Sequence, residues 1–301
     1  MKVDIIMRTK DRTIFLERAI KDVLAQSYKN WFLCIVNDGG KASEVDKLVK
    51  EYKSHAKQIK VIHHAKSKGM EAASNAGIKS TNGELIVIHD DDDTWHPDFL
   101  KKCVAKLQEP MDYAEVGGVI TKMDRIYEKI KGKEIKTKVT RSFPTHEGVY
   151  PFISINDMLS HKFDFRPICF VFYRRCLEKV GFYDEKLPVL GDMDFHFRFI
   201  VHFDIAFIDE VMAHYHYRPL HKGAAANSVH SGKTAIYKNL VMNKYIRNAI
   251  KSNKMSFGEV LMQARYFYNI NEDLKFFIAL GKLFSKFRKF MFFCIRKLLF
   301  R

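Results

Sequence analysis

Within the first 120 residues, short β-rich runs alternate with helical patterns, and this alternation constrains the fold more than any other feature of the 301-residue chain. Residues 3–7 read as a strand. Residues 13–26 follow as a helix, with Ile14, Leu16, Ala19, Ile20, Val23 and Leu24 at helical spacing. Strands are predicted at 31–36, 59–62 and 85–88, with helices at 43–52 (Ser43 and Asp46 as a capping pair), 69–78 and 97–107, the last opened by Pro97. Strand–helix–strand spacing of this kind gives a parallel sheet with crossover helices. Ligands bind beyond the carboxyl ends of such strands. Asp38 and the run Asp90-Asp91-Asp92-Asp93 both follow strands, so both belong on that rim.

Beyond residue 120 the pattern is looser. A strand is expected at 117–121. The polar, basic stretch 122–151 reads as a hairpin or a mobile loop. Strands are expected at 168–173, 205–208 and 211–217, and helices at 174–180 and 191–201, the latter burying Met193, Phe197, Ile200 and Val201. From about residue 231 the pattern is helical. The predicted organisation is one α/β domain over 1–225 and a helical extension over 226–301.

Apolar residues make up 47% of the chain, enough for a sizeable core and against a disordered chain. No stretch approaches the ~20 apolar residues of a membrane-spanning helix. The first residues become charged too early for a signal peptide. The five cysteines, Cys34, Cys103, Cys169, Cys176 and Cys294, form no C-x-x-C pair and sit mostly in apolar runs, which points to free thiols in a reducing cytoplasm.

Four consecutive aspartates at a sheet rim repel one another, and a cation relieves that repulsion. Alternate carboxylates suit hard divalent ions such as Mg²⁺ or Mn²⁺, which keep waters and bind substrate phosphates. The spacing fails for an EF-hand. No P-loop and no G-x-G-x-x-G is present, so nucleotide binding through a glycine-rich loop loses its support.

The run VDIIMRTKDRTIFLERAIKDVLAQSYKNWFLCIVNDGG resembles the opening of family 2 glycosyltransferases. SKGMEAASNAGIKSTNGELIVIHDDDDTWHPDFL resembles the same family's approach to its D-x-D motif, and VGFYDEKLPVLGDMDFHFRF is similar to its catalytic-base segment. The resemblance spans residues 3–221 and is of the bacterial cell-surface glycan type. It implies a GT-A-like, mostly parallel sheet flanked by helices, a nucleotide-sugar donor, a divalent metal and inversion at the anomeric carbon. Residue by residue it implies Thr9 and Asp11 in the first donor loop and Asp38 on the base. Asp90 falls near the ribose, Asp91 at the middle of the motif, and Asp92 on the metal. Asp192 falls at the general base. Arg218 and His221, in YRPLH, resemble a basic loop closing over the diphosphate, with His221 as a metal ligand. Lys10, Ser74 and Gly191 depart from the pattern: they stand where an aromatic, an arginine and an acidic residue are usual.

The residues themselves leave alternatives. Asp192 also suits a helix N-terminus favoured by the dipole. Asp192 and Asp194 lie two apart on a helix, so only one faces a site. His214 and His216 share a strand face, as core histidines or a metal pair. His63 and His64 carry no signal. Arg8 and Arg12 meet phosphate or form solvated surface. Two rival functions stand beside sugar transfer: nucleotidyl transfer, and a non-catalytic module for membrane or polyanion.

The last fifty-one residues carry 11 Lys+Arg against 3 Asp+Glu. On a helical wheel Lys275, Lys282, Lys286, Lys289 and Lys297 oppose Phe277, Leu280, Phe284, Phe287, Met291, Cys294 and Leu298. A basic helix with an aromatic apolar face suits an anionic bilayer, or packs on its own domain. A membrane contact would place the protein at the inner face of the cytoplasmic membrane, near a saccharide or lipid-linked saccharide acceptor. No helix-turn-helix, zinc-finger or RNP pattern supports nucleic-acid binding.

Overall fold

Strand β1 (Val3–Thr9) is buried along its whole length. In parallel with it run β2 (Trp31–Asp38), β3 (Ile59–His64) and β4 (Leu85–Asp90), in the spatial order β3-β2-β1-β4. Helices α1 (Thr13–Leu24), α2 (Ala42–Lys50) and α3 (Met70–Lys79) make the crossovers. The order reverses at β1, and the crevice at such a reversal is the expected ligand site. Thr9, Asp38, His64 and Asp90 are the last residues of these four strands, so one rim carries all of them. In this computed structural model the described residues are 1–254 and Glu259, apart from 56, 112–113, 132–133, 144–150, 160–164, 220, 222, 224–225 and 228–233.

The sheet continues through β5 (Thr94–Trp95), β6 (Val116–Lys131), β7 (Glu134–Phe143), β8 (Phe170–Tyr173) and β9 (Asp204–Tyr217). Its full order is β3-β2-β1-β4-β8-β6-β9-β5, with β7 beside β6. β8 is antiparallel to β4 and β6, while β6 and β9 run parallel. Helices α4 (Phe99–Gln108), α5 (Ile155–Leu159), α6 (Leu177–Val180), α7 (Gly191–His202) and α8 (Thr234–Lys251) complete the described α-helices. Two compact units are present, Met1–Tyr237 and Lys238–Arg301. The amphipathic pattern at 275–301, with Cys294, lies outside the described residues. The other four cysteines are buried free thiols.

Some local expectations are resolved and others change. The basic stretch after residue 121 is a long hairpin of β6 and β7, and the two strands expected at 205–208 and 211–217 are one, β9, paired along β6. Helix α2 starts at Ala42, with Lys41 before it and no side-chain cap, so Ser43 lies inside the helix. Helix α4 begins at Phe99 instead of Pro97, because β5 and the His96 N–H, which donates to Met212 O at 2.8 Å, hold the chain to β9 as far as His96, and Pro97 and Asp98 form a turn. On α7, Val201 is 63% exposed. Phe197 and Ile200 are buried as expected and Met193 is half-buried; Phe195, His196 and Phe199 are buried as well, against Phe165, Phe170 and Phe172. Aromatic partners from β8 and from Phe165, which a helical wheel does not contain, widen the buried face.

Candidate active site

The β2 strand delivers Asp38 to the rim, where its carboxylate gathers the 66–69 loop. Oδ1 accepts the Lys68 amide at 2.8 Å and pairs with His64 Nδ1 at 2.7 Å. Oδ2 accepts Ser67 Oγ at 2.7 Å and the Gly69 amide at 3.0 Å. Burial alone would raise this acid; the His64, Lys68, Ser67 and Gly69 bonds hold it below the usual carboxylate range. Gly39 makes the approach possible: it has φ +79° and a Cβ there would lie 2.3 Å from Ser67 N. His64, silent in the sequence, is thus a direct partner of Asp38.

At the end of β4 the aspartates differ in environment. Asp90 is half-buried, and Asp91, Asp92 and Asp93 are buried; Asp90, Asp92 and Asp93 line cavities. Arg8 donates to Asp90 Oδ1 through Nε at 2.8 Å and Nη2 at 2.5 Å. Arg12 pairs with Asp91 at 2.5 Å and with Asp92 at 3.2 Å. The Arg218 guanidinium contacts Asp92 as well as Glu128, the latter at 2.8 Å. Like-charge repulsion in the run is therefore relieved by guanidinium groups of the chain itself. Burial first, then Asp92, push Asp91 up to about 7 against the pull of Arg12. Burial with Asp92 and Asp90 raises Asp93 well above the usual carboxylate range. On Asp92, Arg12 and Arg218 outweigh burial and hold the carboxyl down.

Four positions from the sequence reading sit elsewhere than expected. Arg218 does not open onto the rim. It is fully buried, over the Phe15 ring at 4.5 Å, because Asp92 and Glu128 claim its guanidinium. His221 Nε2 accepts the Ile130 amide at 3.0 Å, so that nitrogen's lone pair is not available to a metal. Asp11, at φ +52°, turns its Oδ1 to the Lys41 amide at 3.0 Å and braces two loops. Asp91 also faces inward, next to Thr9, whose side chain bonds it. Arg8 and Arg12 form part of the site and not a solvated surface. Arg8 Nη1 also reaches Ser74 Oγ at 3.3 Å, so a guanidinium stands beside the serine found where an arginine was expected.

Sequence reasoning missed Glu128, Arg18 and Glu71. Glu128 takes Arg18 at 2.5 Å and His216 Nδ1 at 2.7 Å. His216 also meets Thr94 Oγ1 at 2.9 Å, which makes it a core histidine and not half of a metal pair. No short motif marks these residues; strand pairing of β6 with β9 brings Glu128 to His216, while Arg18 comes from α1 and Glu71 from α3.

Two cavities meet at Asp90. One, of about 320 Å³, is lined by Arg8, Thr9, Lys10, Arg12, Asp38 and Asp90 among others. The second, of about 150 Å³, includes Arg8, Glu71, Asp90, Arg166, Asp192 and Tyr215. Asp192 stands in the first turn of α7, after Leu190 at φ +66°, a strained left-handed turn for a branched residue. Its Oδ1 accepts the Met193 amide at 2.9 Å. Asp194 is buried against Arg198 at 2.9 Å, so only Asp192 of the pair faces the cavity. Asp90 and Asp92 also share a cavity with Lys10, Arg12 and Tyr215. Two hard carboxylates fit Mg²⁺ or Mn²⁺ when waters and substrate phosphates complete the shell. Among the described residues no group of three or more His, Cys, Asp or Glu is placed to hold such an ion unaided.

The fold is that of the GT-A glycosyltransferases. The structure of Staphylococcus aureus TarS (residues 1–349) in complex with UDP superposes with a TM-score of 0.57 at 16% identity, over 73% of this chain and 61% of that one. The mannosyltransferase PcManGT of Pyrobaculum calidifontis, solved with GDP-Man and Mn²⁺, gives 0.50 at 17% identity, over 71% and 56%. Residues 4–181 match the model for glycosyl transferase family 2, and the chain belongs to that family. An uncharacterized glycosyltransferase of Nostoc sp. is 32% identical over 126 residues, 42% of this chain and 38% of the relative's length.

Proposed function

We propose that the chain transfers a sugar from a nucleoside-diphosphate donor to a hydroxyl of a saccharide or lipid-linked saccharide, with inversion and with Mg²⁺ or Mn²⁺ as cofactor. One observation carries this reading: Asp90 is a wall common to the cavity holding Asp38 and the cavity holding Asp192. A donor in the larger cavity has its sugar end directed toward the smaller one, where an acceptor hydroxyl meets Asp192. The UDP and GDP-Man complexes of TarS and PcManGT support the donor class.

In this proposal Asp38 and the loop it gathers receive the base, with Thr9 beside them. Lys10 and Arg12 offset the charge of the diphosphate. Asp92, with Asp90, would hold the divalent ion, which when bound supplies Lewis-acid relief of negative charge on the leaving group. Arg218 keeps Asp92 ionised from behind. Asp192 takes the acceptor proton as the hydroxyl attacks, a contribution of typically ~10²–10⁴-fold. Catalysis belongs to residues 1–225, with 226–301 as a helical extension. Contact with the inner face of the cytoplasmic membrane is part of the same proposal and rests on the basic tail.

The test pairs calorimetric binding of UDP and GDP, with and without Mn²⁺, with transfer assays over a panel of nucleotide sugars. Asp192→Asn is expected to keep nucleotide affinity and abolish transfer; full turnover by that variant refutes its role as base.

A further inference from the structure

Glu71 is an acid without an obvious reason to be where it is. It lies in the first turn of α3 and is 3% exposed, and its Oε2 has no hydrogen-bond partner among the described residues. A buried orphan oxygen of this kind costs stability and calls for an explanation. Its neighbourhood supplies one. The carboxyl packs against Gly191, the residue before Asp192: a Cβ added at Gly191 would lie 2.3 Å from both Glu71 Cγ and Oε1. The Gly191 amide also hydrogen-bonds the carboxyl. Gly191 begins α7 in a helical conformation, so the missing side chain is a matter of space and not of backbone angles.

The two elements are fixed to each other nearby. Asn75, one turn along α3, donates to Tyr183 O at 2.9 Å and to Glu185 Oε1 at 2.8 Å, and accepts the Tyr183 amide at 3.0 Å. The clamp holds α3 against the segment that leads into α7. Charged and titratable groups face Glu71 from β1 (Arg8), from α7 (Asp192) and from the segment before it (Tyr183). Glu71 and Asp192 line the same cavity, with Asp90 and Arg8.

We propose that Glu71 is a positioning residue for Asp192: its carboxyl fills, from α3, the place of a side chain at residue 191, and so fixes the start of α7 and the aim of the Asp192 carboxylate. This rests on Asp192 being the base. Glu71 also sets the local charge. Burial, with Asp192 adding to it and Arg8 opposing it, moves the Glu71 carboxyl up to about 7. Above that pH a second negative charge stands beside Asp192.

The experiment compares Glu71→Gln, Glu71→Ala, Gly191→Glu, the double variant Glu71→Ala/Gly191→Glu, and Asp192→Asn in the full chain. Glu71→Gln is expected to lower kcat about tenfold, a part of the ~10²–10⁴-fold a base contributes, with donor KM unchanged. It should also lose an inflection near pH 7 in the kcat profile. Gly191→Glu alone should lower Tm and activity through the clash, and the double variant should regain both, since the carboxyl has moved from one element to the other. Wild-type kcat and pH profile in Glu71→Gln overturns the proposal, and so does a Gly191→Glu variant as stable and active as wild type. Asp192→Asn separates the two readings. If it retains turnover, the base assignment fails, whereas an inactive Asp192→Asn beside an unaffected Glu71→Gln refutes the positioning role alone.

Discussion

Glu128→Gln removes one charge from the buried group that supports Asp92, and its cost follows from the geometry. Glu128 accepts hydrogen bonds from Arg18, from His216 Nδ1 and from Arg218. Burial would raise its pKa; the bonds from His216 and Arg18 outweigh burial and bring it from 4.5 down to about 2. A depression of that size corresponds to ~3 kcal/mol of stability, at ~1.4 kcal/mol per pH unit. Because the folded value lies below the unfolded one, this contribution is complete above about pH 4.5 and is lost as pH falls toward 2. Trp31 and Trp95 are the only tryptophans and both are buried in the sheet, so their fluorescence reports its unfolding. Urea titrations should show Glu128→Gln less stable by ~3 kcal/mol at pH 7 and pH 6, with the gap narrowing below pH 4. A gap under ~0.5 kcal/mol at pH 7, the usual range of a surface substitution, refutes the reasoning. So does a gap that stays constant down to pH 3.

Other outcomes follow from the same structure. His196 stacks on Phe165 with ring centroids 4.1 Å apart, and burial lowers its pKa to about 4. Its folded value is depressed, so stability should fall as pH drops from 6.5 to 4, and His196→Phe should flatten that fall in urea titrations. Asp38→Ala leaves the Lys68 and Gly69 amides without their acceptor, and nucleotide affinity measured by calorimetry should fall at least tenfold, ~1.4 kcal/mol. Asp92→Asn should weaken Mn²⁺ binding, read by electron paramagnetic resonance of free Mn²⁺ in the presence of UDP; unchanged binding removes Asp92 as the ligand. Vesicles containing anionic lipid should sediment the full chain better than a chain ending at residue 270, and less so at high salt.

The first four strands, their parallel sense and the identity of the rim were legible in the sequence, because each depends on local pattern. An apolar run buried on both faces looks the same wherever it lies, and the turn that follows it stands at a strand end. Asp38 and the aspartate run 90–93 were therefore placed on the rim from position alone; the family resemblance singled out Asp90, Asp92 and Asp192. The aspartate run also announced a need for positive charge.

What answers that need was decided only by the tertiary structure. Arg8 and Arg12 are near in sequence to nothing acidic that they meet; β1 pairs with β4 and brings Arg8 to Asp90. Arg218 reaches Asp92 and Glu128 because β9 lies along β6, a pairing between segments about ninety residues apart. The same holds for Glu71, whose role depends on the absence of a side chain at Gly191 more than a hundred positions away. A one-dimensional pattern records which residues can be buried or charged. It carries no term for the neighbour that a long-range pairing supplies, and in a buried site that neighbour fixes each group's charge and direction.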